Sequence, residues 1–181
     1  MKKRWIVIGM LVAAVVSARA GETFEYPEGD PAFSLRFPGS WTAEVNEQDA
    51  LEGLSGDETV YLVLWEVEDL DHLEDEMTAT AEQLLSDVEF DDEDEEITNK
   101  YGVKFWLKHG DGTEQESEEA VQFTIAVFGP TENRAFVMLY TIEKENATDE
   151  AKRQFVNIME SVSPVAAEEE AEEELVEEAE E

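Results

Sequence analysis

Alternation of apolar and polar positions predicts β-strands in the first half of the chain. Residues 33–37 read Phe-Ser-Leu-Arg-Phe, which places three large apolar side chains on one face, and residues 41–45 repeat the alternation. Pro38-Gly39-Ser40 between them predicts a hairpin turn or a β-corner. Residues 59–67 are apolar on both faces and rich in branched and aromatic side chains, which is typical of a strand covered on both sides.

A second group of apolar-rich segments predicts four neighbouring antiparallel strands. They lie at Ile97–Tyr101, Val103–Leu107, Val121–Phe128 and Ala135–Ile142. Gly110-Asp111-Gly112 predicts a hairpin tip or loop between two of these strands, and Gly129-Pro130 with Asn133 predicts the next connection.

Two apolar stripes at helical spacing predict amphipathic helices. The first stripe extends over residues 70–88, where Asp71 followed by Glu74 resembles a capping box. The second stripe extends over residues 151–162, and Thr148 supplies a helix-start hydroxyl. The order of elements is therefore strands, helix, strands, helix.

This order predicts an α+β fold, in which an antiparallel β-sheet is flanked by two main helices. Residues 21–165 have the length of a single domain that can bury a proper core. The sequence contains no cysteine, so disulfides and thiolate metal sites are excluded and stability must come from packing.

Residues 1–20 have the three parts of a secretory signal peptide. Lys2-Lys3-Arg4 form a positive region, residues 5–16 form an apolar run, and Ala18-Arg19-Ala20 provides small residues for cleavage. The run is shorter than the about 20 apolar residues of a membrane-spanning helix. We therefore expect a secreted or periplasmic protein that begins near Gly21, with an uncleaved anchor as the alternative.

The C-terminal segment, residues 166–181, carries ten glutamates and no basic residue. A helix there would place six pairs of glutamates four residues apart, at a cost of about 0.2–0.5 kcal/mol for each pair. A lone helix of this length is marginal even without that repulsion. We predict a disordered, solvated tail.

The charge of the chain excludes some partners and favours others. The formal charge of −35 becomes −39 when the four basic residues of the signal peptide are removed. Phosphate backbones and anionic membranes repel such a chain, so nucleic acid and membrane-surface roles are excluded. The same field suits a cationic partner or a salty environment.

The phrase Phe33-Ser34-Leu35-Arg36-Phe37-Pro38-Gly39-Ser40-Trp41 resembles the start of PsbP-like domains, and the order of later elements, over residues 31–164, is similar. The resemblance implies an α/β sandwich and a non-catalytic accessory or binding role outside the cytoplasm. It carries no metal or partner residues over to this chain.

Acidic clusters are the candidates for metal binding. Asp91, Asp92, Asp94 and Glu95, within the run of six acids at 91–96, offer the hard oxygen ligands that Ca²⁺ prefers. A specific site needs convergent ligands, so a solvated loop is the favoured interpretation. The segment 111–116 lacks the glycine and the bidentate glutamate of an EF-hand, which excludes that motif.

The sequence contains few candidate catalytic residues. His72 and His109 are the candidate bases, but neither lies near a recognisable nucleophile motif. Gly53-Leu54-Ser55-Gly56 fails the spacing of a nucleophile elbow and predicts a turn. Asn146-Ala147-Thr148 matches a glycosylation pattern, although its helix-start role suffices.

Three tryptophans could serve either the core or a ligand surface. They are Trp41, Trp65 and Trp106, and their alternating strand positions favour the core. The sequence as a whole predicts an exported non-enzymatic accessory or binding module without a cofactor, whose partner is an unknown or cationic protein. The alternatives are a low-affinity Ca²⁺-binding acidic protein and a secreted hydrolase.

Overall fold

The computed structural model describes residues 23–67, 73–115, 117–131 and 134–165. The predicted signal peptide (1–20), the predicted tail (166–181) and His72 lie outside these residues. Within them the chain forms ten strands and two α-helices. In chain order these are β1 Thr23–Tyr26, β2 Phe33–Arg36, β3 Thr42–Val45, β4 Leu51–Leu54, β5 Val60–Val67, α1 Leu73–Leu84, β6 Leu85–Thr98, β7 Lys104–Glu114, β8 Ala120–Thr131, β9 Arg134–Glu143, α2 Asp149–Ser161 and β10 Ser163–Pro164.

The strands form two antiparallel sheets. The large sheet has seven strands in the order β3-β4-β5-β9-β8-β7-β6, and the small sheet has three in the order β1-β2-β10. Strand β5 lies between β4 and β9, with Val60 opposite Ile142 and Val67 opposite Ala135. Strand β6 pairs with β7 and ends the large sheet.

One face of the large sheet holds the main core, where the small sheet and helix α2 pack. Phe33 is fully buried between the rings of Phe128 and Phe136, whose centroids lie 5.2 and 4.9 Å away. Several hydrogen bonds attach α2; among them, the Tyr140 hydroxyl donates to the backbone oxygen of Ala151 at 2.9 Å, and Trp41 Nε1 donates to a side-chain oxygen of Gln154 at 2.6 Å. The apolar stripe of α2 therefore faces the sheet, as its sequence predicts.

The other face holds a smaller core beneath helix α1. Met77 and Ala81 of the helix are buried with Phe123, Ile125 and Leu139 of the sheet. Burial on both faces explains why strands β8 and β9 read as near-continuous apolar runs. Among the described helices, neither is long and apolar enough to cross a membrane.

The predicted α+β class is wrong. The described residues are mostly antiparallel β-structure in two sheets, and the two helices are short. On its core face, the large sheet packs against a second sheet as well as against helix α2. The sequence does not indicate this second sheet. Strands β1 and β10 have four and two residues, so neither carries a pattern long enough to detect.

The first helix is shorter than its stripe predicts, and the acidic run after it is not a loop. The helix ends at Leu84, and β6 begins at Leu85 and extends for 14 residues through the run 91–96. The register of β6 against β7 is irregular between Ser86 and Glu89, where Asp87 has a φ of 51°. This irregularity gives the apolar positions around it a spacing that imitates a helix.

The glycines of Gly110-Asp111-Gly112 do not form a turn but lie inside β7. A Cβ atom at Gly110 would come within 2.5 Å of Phe123 Cζ and 2.6 Å of the backbone oxygen of Glu89. Gly110 is therefore required by the close approach of a neighbouring ring and strand rather than by a turn. The connection from β7 to β8 follows Glu114 instead.

Most other predicted elements are confirmed. Strand β5 lies in the interior of the large sheet, and three of the four later segments pair as antiparallel neighbours in the order β9-β8-β7. The fourth, Ile97–Tyr101, is mostly wrong, because only Ile97 and Thr98 lie in a strand, at the end of β6. Residues 38–40 connect strands of different sheets, so the corner is correct and the hairpin is not. The Thr148 side chain caps α2 by accepting a hydrogen bond from the Ala151 amide at 3.2 Å.

Candidate functional surface

A row of apolar side chains crosses the large sheet on the face that carries helix α1. Trp106 of β7 lies opposite Val127 of β8, Val127 lies opposite Val137 of β9, and Val137 lies opposite Trp65 of β5. Val137 is fully buried, whereas the other three side chains are half-buried. We call Trp65, Val127 and Trp106 the aromatic row. It presents apolar surface to solvent at both ends.

The β6 end of the row is bordered by charged residues. Glu96 lies directly opposite Trp106, and the Lys108 ammonium lies 5.8 Å from the centroid of the Trp106 ring. The same ammonium lies 5.5 Å from the Phe90 ring and 3.5 Å from Asp94 Oδ1. An ammonium group is thus held against two aromatic rings and a carboxylate.

Tyr61, on the same face of β5, is half-buried and lies near Glu52. Burial, reinforced by the Glu52 carboxylate, raises the pKa of Tyr61 far above its ordinary value. The tyrosine therefore stays neutral and serves as an apolar and hydrogen-bonding group. It extends the apolar surface beyond the aromatic row.

The opposite face of strands β6, β7 and β8 contains a carboxylate, an imidazole and a hydroxyl in series. Thr124 Oγ1 lies 2.8 Å from His109 Nδ1, and Glu95 Oε2 lies 3.5 Å from His109 Nε2. This order of groups is that of a nucleophile, a base and an orienting acid. Thr124 is only 9% exposed, however, so its hydroxyl offers little access to a substrate.

The predicted Ca²⁺ ligands Asp91, Asp92, Asp94 and Glu95 lie along strand β6 and are all exposed. Two of them face basic partners, since Asp94 pairs with Lys108 and Glu95 approaches His109. Among the residues the structure describes, no group of three or more His, Cys, Asp or Glu side chains could hold a metal ion. The Ca²⁺ hypothesis stays a prediction, and the described residues do not form a cluster of ligands that supports it.

A shallow depression of about 270 Å³ lies where strand β8 begins and strand β9 ends, lined by Glu119, Ala120, Glu143 and Glu145. Glu143 is 5% exposed and accepts a hydrogen bond from Asn146 Nδ2. The side chain of Asn146 is thus engaged within the fold, next to the Thr148 cap. The residues that line the depression present carboxylates but no imidazole, hydroxyl or thiol group.

Ser55 of the Gly53–Gly56 segment has a structural role. Its hydroxyl donates to Asp57 Oδ1 at 2.6 Å and accepts from the amide of Val60 at 3.0 Å. The hydrogen bond from Ser55 is the main reason that the pKa of Asp57 is lowered. The predicted turn is therefore only partly correct, because Gly53 and Leu54 belong to strand β4 and the turn begins at Ser55.

The three tryptophans have similar strand patterns in the sequence, which therefore does not predict that they differ in burial. Trp41 is 3% exposed and belongs to the core, whereas Trp65 and Trp106 are half-buried on the aromatic row. Val127 was not singled out at all. The available signal is that Trp65 and Trp106 both lie on predicted strands, but the sequence does not give the order of those strands, two others of which separate β5 from β7.

Comparison with known proteins identifies a similar fold and no family. No family model matches the chain, and no curated protein matches it. It is similar to a protein of Bacteroides thetaiotaomicron VPI-5482 whose crystal structure was solved at 1.50 Å, with a TM-score of 0.56 and 13% identity. The match covers 81% of this chain and 49% of that protein, so the chain spans about half the length of this neighbour. The resemblance of residues 33–41 to PsbP-like domains stays a prediction.

Proposed function

We propose that this protein is an exported, non-enzymatic binding module that presents the aromatic row to a partner. The observation that carries the proposal is the half-buried state of Trp65, Val127 and Trp106 on one sheet face. Tryptophan contributes large contact areas in protein interfaces, and the centres of interfaces are enriched in it. The order of residues in the signal-like segment supports export.

The burial of the Thr124 hydroxyl supports the non-enzymatic role. The Glu95, His109 and Thr124 series is the best catalytic arrangement among the described residues, yet Thr124 is buried. A secreted hydrolase would need that hydroxyl to reach a substrate. We therefore expect no ester or peptide hydrolysis that depends on His109, and His109-dependent turnover of a fluorogenic ester would replace our proposal with the hydrolase.

Site-specific photo-crosslinking tests the binding role. A photo-reactive amino acid replaces Val127 in the aromatic row, and the same amino acid replaces Val156 as a matched control. Val156 is 44% exposed on α2, away from the row. The exported protein is irradiated in its own culture, and adducts are separated by mass.

We expect a discrete adduct from position 127 that is absent from position 156 and is lost when Trp106→Ser is added. Equal adducts from both positions, or no adduct from position 127, would contradict the binding role. Intact-mass measurement of the exported chain tests export separately, since we expect its N-terminus at Gly21.

A further inference from the structure

We infer that the partner of the aromatic row is an amphipathic protein segment in which apolar residues lie beside lysines and arginines. This inference rests on the proposed binding role and adds the chemistry of the occupant. The apolar part of such a segment covers Trp65, Val127 and Trp106. Its basic side chains then face the carboxylates of β6, which borders the row at Trp106.

Lys108 shows that the border of the row accommodates a cation. Its ammonium already lies over the rings of Trp106 and Phe90 and 3.5 Å from Asp94 Oδ1. The border of the row thus combines the two features that favour a bound ammonium or guanidinium, which are aromatic faces and carboxylates. A partner's basic side chain finds the same environment beside it on strand β6.

Strand β6 carries exposed carboxylates beyond those that pair with lysines. The run 91–96 has six consecutive acids, all exposed. The two lysines of β7 nearest the row already have partners in this run: Lys104 lies 3.9 Å from Glu96, and Lys108 lies 3.5 Å from Asp94. Glu95 lies on the opposite face, beside His109, but the run still has more carboxylates than these two lysines can neutralise. It therefore favours additional cations from a partner.

The negative charge of the chain disfavours other occupants of the row. Residues 21–165 contain 37 acids and 8 lysines and arginines, so a second copy of this chain would bring a large like charge to the interface. An anionic membrane surface is repelled for the same reason. A cationic segment is attracted at long range and covers the apolar row at contact.

Peptide binding to the full mature chain, residues 21–181, tests the inference. The probe is a labelled amphipathic helical peptide of leucine and lysine, compared with two counterparts in which glutamine or glutamate replaces every lysine. Fluorescence anisotropy at about 0.15 M salt, where exposed charges are largely screened beyond about 8 Å, gives each dissociation constant. Trp106→Ser is the test variant, and Val156→Ser is the matched control on α2.

We expect the leucine–lysine peptide to bind at least about ten-fold more tightly than the glutamine peptide, a difference that corresponds to about 1.4 kcal/mol. Trp106→Ser should weaken its binding by a similar factor, and Val156→Ser should not. Amide chemical-shift changes of the unmodified chain should cluster at Trp65, Val127 and Trp106. This measurement does not depend on whether the variant folds.

Three outcomes overturn the inference in different ways. If the leucine–lysine peptide binds Trp106→Ser as tightly as the unmodified chain and shifts no amides in the row, the protein binds it only as a generic polyanion. Equal binding of the lysine and glutamine peptides at the row rejects the cationic partner and leaves the proposed binding role in place. If no peptide binds and no adduct forms from position 127, the inference and the proposed function both fail.

Discussion

The side chain of Asn99 holds the last turn of helix α2, because its Nδ2 atom donates a hydrogen bond to the backbone oxygen of Met159 at 2.9 Å. The same nitrogen donates to the backbone oxygen of Val162 at 2.8 Å. Its Oδ1 atom accepts from the amides of Tyr101 and Val103. One buried amide thus joins the β6–β7 connection to the end of the helix.

Replacement of Asn99 with alanine should destabilise the protein by about 3 kcal/mol. Asn99 is 5% exposed, so its loss leaves buried backbone groups without partners, each at a cost of about 1–3 kcal/mol. Urea unfolding measures the change. Asn157→Ala, at an exposed position of α2, is the control and should change the free energy of unfolding by no more than about 0.5 kcal/mol. Equal effects of the two variants would contradict this role of Asn99.

Arg134 joins the start of β9 to β5 and to the loop before β2. Its guanidinium donates to both Glu66 oxygens at 2.6 and 2.7 Å and to the backbone oxygen of Asp30 at 2.9 Å. These hydrogen bonds raise the pKa of Arg134, with Glu66 as the main cause. We expect Arg134→Met to destabilise the fold by about 1–2 kcal/mol, because Glu66 loses its partner in a half-buried position.

The exposed pair of Arg153 and Glu150 is the control for Arg134. Its side chains are 61% and 69% exposed, and Arg153→Met should cost no more than about 0.5 kcal/mol. The double variant Arg134→Met, Glu66→Gln should recover part of the stability lost in Arg134→Met. Thermal or urea unfolding measures both stabilities. Additive effects of the two single variants would show that the pair is not coupled.

Buried tyrosines make the protein lose stability at alkaline pH. Burial raises the pKa of Tyr26 to about 12 and the pKa values of Tyr61 and Tyr140 still further. The unfolded chain loses these protons near pH 10, so the folded chain holds more protons above that pH. Their contribution to stability is therefore complete below about pH 10 and is lost as the pH rises towards the folded pKa values.

Urea unfolding between about pH 9 and pH 11 measures this loss. The free energy of unfolding should fall over that range, and the decline should be smaller in Tyr61→Phe, which removes one of the three ionising groups. A decline that is as steep in Tyr61→Phe as in the unmodified chain would show that Tyr61 is not among the groups responsible.

Calcium should bind to this protein only as a diffuse counterion. The acids at 91–96 are exposed along one strand, and carboxylates spread in this way do not converge on one ion. Calorimetry should give weak heat that disappears at about 0.15 M salt. Neutralising Asp91, Asp92 and Asp94 should change it no more than neutralising Glu44, Glu47 and Glu58. Saturable binding with a fixed stoichiometry would support the Ca²⁺ hypothesis instead.

The sequence predicted those elements whose local pattern agrees with their final environment. Strand β5 is apolar on both faces, with one face buried and the other partly covered, and α2 has one stripe, one cap and one buried face. Strand β6 escaped prediction because its register is irregular and its acids resemble a solvated loop. At the edge of a sheet such residues pair on one side only and keep their charges in water.

The candidate surface was beyond prediction for a different reason. Whether Trp65 and Trp106 are buried depends on how much of the sheet face helix α1 covers, and that is set by tertiary packing rather than by local pattern. The placement of Gly110 has the same origin, since the ring of Phe123 on the next strand fills the space where a side chain would lie. Neither contact leaves a periodic signal in the sequence.

Strand β6 also bears on how the chain resists edge-to-edge association. Its outer edge has no strand partner in the described part of the chain, and such an edge is an open template for cross-β association. Its eight carboxylates repel an identical strand, and its register irregularities disturb the flat geometry that fibrils require. Acid or concentrated salt weakens that repulsion. Through this strand, the pH and salt concentration of the medium therefore affect the colloidal stability of the protein more than its folding.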